Sequence, residues 1–165
     1  MIHQQGKSGY KPSHLEDLDL RSRIALVYTS WNKNYTGRLL EGAKAVCFEN
    51  GLPENQVFVF ECPGAFELPL TAAWCFSQGF DAVVCLGTII RGDTPHFDYV
   101  SAAAADGILR AGLDAQKPCV FGVLTVNNAE QVEERIGGIH GHKGREAAET
   151  ALQMLVLKSE ISGKI

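Results

Sequence analysis

No C-x-x-C pair, no dense run of basic residues and no apolar stretch near the length of a membrane span occurs in these 165 residues. Each absence removes a class of function. Fifteen Lys and Arg stand against nineteen Asp and Glu, a formal charge of −4, so nothing here neutralises a row of phosphates and nucleic acid is not an expected partner. The longest near-continuous apolar stretch, Ala82 to Ile90, is about half of the roughly 18 residues that a span requires, so no membrane association is expected. The N-terminal MIHQQGKSGYKPSHLEDLDL lacks the apolar centre of a signal peptide, which makes the cytoplasm the expected location. The five cysteines, Cys47, Cys62, Cys75, Cys85 and Cys119, are odd in number and mostly flanked by apolar residues. They read as reduced, buried thiols, with neither the spacing of a zinc site nor a nearby base for a nucleophile. Internal repeats and low-complexity segments are also missing.

What is present is the balance of an ordinary globular chain, 45% hydrophobic and 21% charged, at a length that suits one domain. Residues 1–22 are polar, contain Gly6, Gly9 and Pro12, follow neither a strand nor a helix period, and are expected to form a mobile arm. Residues 23–165 are expected to form the single domain. Within it four apolar runs, IALVYT, VFVFECP, AVVCLGTII and CVFGVLTV, alternate with helical patterns. Runs without polar alternation suit parallel strands covered on both faces. Leu39, Leu40, Ala43 and Cys47 recur at helical spacing, as do Val100, Ala104, Ile108 and Ala111, and then Ala148, Ala151, Leu152 and Leu155. Gly51-Leu52-Pro53, Gly79 and Gly112 are expected to stop the first three helices, and Glu130 to Ile136 to form a short fourth, followed by a Gly-rich hinge from Gly137 to Gly144. The predicted fold is a three-layer α/β domain with an open, mostly parallel four-stranded sheet and helices on both faces.

Ligands of such sheets bind beyond the carboxyl ends of the strands, so the strand-to-helix loops are where chemistry is sought. After the first strand comes Ser30-Trp31-Asn32; after the second, Pro63-Gly64-Ala65-Phe66-Glu67; after the third, Thr88-Ile89-Ile90-Arg91-Gly92-Asp93-Thr94-Pro95-His96; the fourth carries Phe121 and ends at Asn127-Asn128. Trp31, and more strongly Phe66 and Phe121, read first as packing anchors, with a platform for a flat ligand as the alternative. Glu67 is either a carboxylate favoured by a helix N-terminus or, beside Gly64, an acceptor for the hydroxyls of a polyol. Gly92-Asp93-Thr94 supplies backbone N–H groups and a hydroxyl for an anion, or an ordinary helix N-cap. His96, two residues on, is placed for proton transfer near neutral pH. Arg91 reads as a structural or surface charge. Arg135 is a solvated helix charge unless brought to a phosphate, which its guanidinium would grip with two prongs. His140 and His142, without a third ligand at a fitting spacing, do not make a metal site.

PGAFELPL, GTIIRGDTPHFDYV, FGVLTVNNAEQVEER and GHKG, in this order and spacing, resemble the lumazine synthase family from about Ile24 to Leu157. The resemblance implies a flavodoxin-like fold and a transferase of riboflavin biosynthesis. That enzyme condenses 5-amino-6-ribitylaminouracil with 3,4-dihydroxy-2-butanone 4-phosphate to 6,7-dimethyl-8-ribityllumazine, phosphate and water, with no metal or redox cofactor. It further implies that Trp31 and Asn32 meet the pyrimidine ring, that Ala65, Phe66 and Glu67 hold the ribityl chain, and that Thr88, Ile89 and Ile90 line the same pocket. By the same resemblance Asp93 and Thr94 carry the phosphate, His96 transfers protons, and Phe121 and Arg135 arrive from an adjacent subunit. Homo-pentamers are implied, twelve of which form a 60-subunit shell in many bacteria, with association of riboflavin synthase. Three positions depart from common family patterns: Trp31 in place of Phe, Asp93 beside the phosphate, and Ile139 where some relatives have Lys, which leaves Lys143 as the neighbouring ammonium. The rival reading is a non-catalytic flavin- or lumazine-binding module of the same fold, which would purify yellow. A shell protein without catalysis is disfavoured by the presence of Glu67, His96 and Arg135.

Overall fold

In the computed structural model, residues 15–163 are described, and the first fourteen residues of the expected arm lie outside them. Within residues 15–22, a 3-10 turn at Leu15–Asp17 precedes Leu18, which is buried in the core while most of its neighbours are exposed.

Strands β1 (Ile24–Thr29), β2 (Val57–Cys62), β3 (Ala82–Ile90) and β4 (Cys119–Val126) form one parallel sheet in the order β2-β1-β3-β4. The helices between and after them are α1 (Lys33–Glu49), α2 (Leu68–Ser77), α3 (His96–Ala115), α4 (Ala129–Glu133) and α5 (Lys143–Ile161). Alternate residues of each strand point to opposite faces. Ile24 and Leu26 of β1, Val84 and Leu86 of β3 and Leu124 of β4 therefore pack with Leu39, Ala43 and Cys47 of α1 and Ala148, Ala151 and Leu152 of α5. Ala25, Val27, Val83, Cys85 and Val123 face the other way, onto Leu68, Ala72 and Cys75 of α2 and Ala104, Ile108 and Ala111 of α3. Two cores explain why the central strands read as unbroken apolar runs, each fully buried Leu, Ile or Val side chain contributing about 1.5–3 kcal/mol. The edge strands β2 and β4 leave Val59, Phe60 and Phe121 exposed.

Helix α5 reaches α1 through Gly144. A Cβ at that position would overlap the Leu39 carbonyl, so the close crossing of the two helices requires glycine. His142, the N-cap of α5, accepts a hydrogen bond at Nδ1 from Arg145 N (3.4 Å), and its ring occupies the space that a side chain on Gly42 would need.

Three boundaries differ from those predicted. Gly112 does not end α3, which runs on to Ala115 and turns at Gln116 in the left-handed conformation (φ 51°). Gly112 is instead where the returning chain touches the helix, since a Cβ there would lie 2.9 Å from the Cβ of Cys119. The short helix α4 begins at Ala129 and stops at Glu133, and Ile136 belongs to an extended strand. The expected hinge is an antiparallel ribbon of β5 (Ile136–Gly138) and β6 (Gly141–His142).

Among the described residues no helix is long and apolar enough to cross a membrane. Cys47, Cys62, Cys75 and Cys85 are buried and all five thiols are free. Burial pushes Cys47, Cys62 and Cys75 up to about 11, and the neighbouring Cys119 together with burial raises Cys85 well above the ordinary range. At neutral pH these four are protonated, which is the state of a core residue and not of a nucleophile.

Candidate active site

The strand order reverses direction between β1 and β3, and in such sheets ligands bind beyond the carboxyl ends of the strands at this switch point. The hydrogen-bond ladder between β1 and β3 extends to Tyr28 and Leu86. Beyond it the Asn32 side chain takes over, its Nδ2 donating to the Thr88 carbonyl at 2.9 Å. To do so Asn32 adopts a left-handed backbone (φ 60°, ψ 39°), one of two non-glycine residues with positive φ among those described. Such a conformation usually marks a position held for a reason beyond chain economy. Trp31 is thereby thrust outward, 73% exposed, with its backbone N–H donating to the Pro63 carbonyl at 3.2 Å.

The second wall is the 3-10 turn Ala65–Glu67 that leads from β2 into α2, with Pro69 near the helix start. Ala65 is buried, Phe66 is exposed, and Glu67 donates its backbone N–H to the Gly64 carbonyl at 3.1 Å. A Cβ on Gly64 would stand 3.1 Å from Glu67 Oε2 and 3.4 Å from Trp31 Cδ1. The bare glycine therefore lets an aromatic plane and a carboxylate converge on one spot, a combination suited to a flat ring with a hydroxylated arm.

On the other side, Thr88 is buried, and its hydroxyl has no hydrogen-bond partner among the described residues. Ile89 and Ile90 continue the strand half-buried. The exposed loop holding Asp93 and Thr94 then enters α3, whose first residue is His96. The N-cap is Pro95, without a side-chain cap bond, so the capping role considered for Asp93 or Thr94 is not realised. In the first turn Asp98 N–H donates to the Pro95 carbonyl at 3.0 Å, and the amides ahead of it are open to an anion or to solvent.

Arg91, read from the sequence as a structural or surface charge, staples this loop. Its Nη2 donates to Asp98 Oδ1 at 2.8 Å, its Nε reaches Asn127 Oδ1 at 3.3 Å, and its guanidinium lies 4.1 Å from the centre of the Phe97 ring. These contacts join the end of β3, the first turn of α3 and the end of β4. Sequence reasoning also passed over Glu61 at the end of β2, which accepts hydrogen bonds from Tyr28, Ser30 and Lys33. No local signal marks it, because its partners lie 28 to 33 positions away in the chain.

Two expected site residues have other surroundings within one chain. Phe121 pairs in register with Cys85 while Thr88 pairs with Leu124, which places Phe121 about 10 Å back from the Thr88 level on the exposed edge strand β4. Arg135 follows α4, where its Nη1 donates to the Gln131 carbonyl at 2.8 Å and pairs with Glu134 Oε2 at 3.2 Å. Lys143 is engaged with Glu146 at 2.7 Å.

An open parallel sheet with an exposed aromatic, a carboxylate and an uncapped helix start around its switch point defines an α/β protein built to hold a small molecule at the strand ends. Residues 21–159 match the 6,7-dimethyl-8-ribityllumazine synthase family, to which the chain belongs. Among its relatives are proteins named 6,7-dimethyl-8-ribityllumazine synthase from Cytophaga hutchinsonii, 46% identical over 83% of this chain and 87% of that one, and from Salinibacter ruber, 42% identical over 92% and 99%. The protein of that name from Chlorobium phaeovibrioides is 47% identical over 82% of this chain and 88% of its own.

Proposed function

We propose that the chain condenses 5-amino-6-ribitylaminouracil with 3,4-dihydroxy-2-butanone 4-phosphate to 6,7-dimethyl-8-ribityllumazine. The observation that carries this reading is the Asn32 to Thr88 bond across the switch point, which turns Trp31 outward beside Gly64 and Glu67. In it Trp31 stacks on the pyrimidine and Asn32 orients it. Glu67, with Ala65 and Phe66, accepts the ribityl hydroxyls, and Thr88, Ile89 and Ile90 form the floor. The phosphate rests on the amides near Asp93 and Thr94.

The chemistry needs little beyond holding two reactants together, which is worth several kcal/mol. The ring amine adds to the ketone and water leaves to give an imine. Loss of a proton and of phosphate yields an enol, whose keto form is closed upon by the ribityl-bearing nitrogen with loss of a second water. His96, the first residue of α3, carries protons between these steps.

The site is completed by a second copy, which supplies Phe121 and Arg135. Leu70 and Trp74 of α2 and Tyr99, Leu109 and Leu113 of α3 are large exposed apolar side chains of the kind that oligomer interfaces cover. A pentamer, alone or as one face of a 60-subunit shell associated with riboflavin synthase, is the assembly we propose.

Formation of the lumazine from the two purified substrates, followed optically in the presence of EDTA with the uncatalysed rate subtracted, tests the reading. Turnover above background supports it. A folded, assembled protein that gives only the background rate refutes it, and stoichiometric bound flavin would then point to a binding module.

A further inference from the structure

The loop that carries Trp31 and Asn32 is locally unfavourable in three ways. Asn32 sits in the left-handed region. The N-terminus of α1 has no side-chain cap. Lys33, its first residue, brings a positive charge to the positive end of the helix dipole. A chain selected for stability alone would avoid all three, and such clustering is characteristic of functional loops.

One carboxylate answers the cation and spans the loop. Glu61 Oε1 accepts from Ser30 Oγ at 2.7 Å, and Lys33 Nζ lies 3.0 Å from Oε1 and 2.9 Å from Oε2, so the residues immediately before Trp31 and immediately after Asn32 are held to the same group. Tyr28 Oη donates to Oε2 at 2.6 Å from β1 below. The three donors hold the Glu61 carboxyl far below the ordinary range, at about 2, with the Tyr28 bond the largest cause. The backbone adds Ser30 N to the Cys62 carbonyl at 2.8 Å. As an exposed ion pair the clasp contributes little to stability, so its effect is on geometry. Trp31 has little of its own packing to fix it.

We propose that Glu61 is a positioning residue for the ring-binding half of the site, acting through Ser30 and Lys33 on Trp31 and Asn32 without touching the substrate. The inference rests on the proposed function insofar as Trp31 receives the aminopyrimidine. The phosphate half, tied separately by Arg91, lies outside its reach.

Steady-state kinetics with each substrate varied in turn test it on Glu61→Gln, Glu61→Ala and Lys33→Met. Glu61→Ala is expected to raise KM for the aminopyrimidine about tenfold, with KM for the phosphorylated ketone and kcat within about twofold of wild type. Lys33→Met should move the same parameter less, and Glu61→Ala combined with Lys33→Met should be no worse than Glu61→Ala alone. An unchanged KM for the aminopyrimidine, or equal rises in both KM values, overturns the proposal. A second readout needs no turnover. In a Trp74→Phe background Trp31 is the sole tryptophan, and Glu61→Ala should lower its fluorescence anisotropy and increase its quenching by acrylamide. Failure of the wild type to turn over would refute the proposed function, while unchanged Trp31 fluorescence in Glu61→Ala would refute the clasp.

Discussion

Asn32 performs two tasks that substitution can separate. Its side chain bonds to the Thr88 carbonyl beyond the end of the β1–β3 ladder, and its backbone occupies the left-handed region. Asn32→Gly removes the side chain but accepts the backbone conformation freely. The expected loss is the net worth of one hydrogen bond plus the exposure of an unpaired acceptor on a buried residue, together about 1–3 kcal/mol. Asn32→Ala loses the same bond and also forces a Cβ into the left-handed region, a further penalty of about 1–2 kcal/mol. Glycine's greater freedom in the unfolded chain offsets about 0.5–1 kcal/mol of this, so alanine should be the worse replacement by up to about 1 kcal/mol, although it is the better residue in most other backbone settings. Urea unfolding at one fixed protomer concentration, so that assembly contributes equally, gives the comparison directly. Both variants should also raise KM for the ring substrate. If alanine is no worse than glycine, the strained conformation is not what the loop sustains. If both are neutral, the bond to Thr88 is not what holds it.

The crossing of α5 over α1 should be intolerant of one methyl group. Gly144→Ala meets the Leu39 backbone, which has no flexible end to move, so a loss of about 1–3 kcal/mol and a melting temperature lower by several degrees are expected in a thermal scan. His142 is held below its ordinary value chiefly by burial, so the folded chain keeps it neutral while the unfolded chain takes up a proton. The stability it contributes is full above the unfolded value near 6.5 and is lost as pH falls through the lower folded value. His142→Gln should flatten that acid limb in urea unfolding measured from pH 7 to pH 5, and an unchanged limb would contradict the assignment. His96→Ala should slow turnover by about 10²–10⁴-fold without abolishing it. Complete loss from a folded, assembled protein would mean that positioning supplies less of the rate than argued.

How much of this could be read from the chain depended on the range of each interaction. β1 and β3 are buried on both faces and therefore spell themselves as unbroken apolar runs, and the faces of α1, α3 and α5 follow from spacing within each helix. Gly112 misled because a glycine forced by tertiary contact with Cys119 looks the same in sequence as one that ends a helix. The ribbon of β5 and β6 was read as a hinge because three glycines hide a pairing of only a few residues. At the site, the loops were legible through the rule that ligands gather at strand ends. Glu61 and Arg91 were not, since a charge looks solvated until its partners are known. For Arg91 those are Asp98, seven residues on, and Asn127, thirty-six away.

The positions of Phe121 and Arg135 lead to the most decisive experiment. Both lie on or after the edge strand β4, Phe121 on its exposed face and Arg135 bonded to Gln131 and Glu134. If they act in a neighbour's site, each working site draws His96 from one copy and Arg135 from another. Arg135→Ala and His96→Ala should each be nearly inactive alone. When the two are unfolded together in equal amounts and reassembled, about a quarter of the sites should receive both intact residues by chance, because the two are drawn independently in a head-to-tail ring. Activity should then recover to about a quarter of wild type, far above either parent. A site built within one chain would always carry one defect or the other, and the mixture would show only the average of its two parents. That outcome would refute the shared site and require α4 and the β5–β6 ribbon to swing Arg135 onto the phosphate of their own chain.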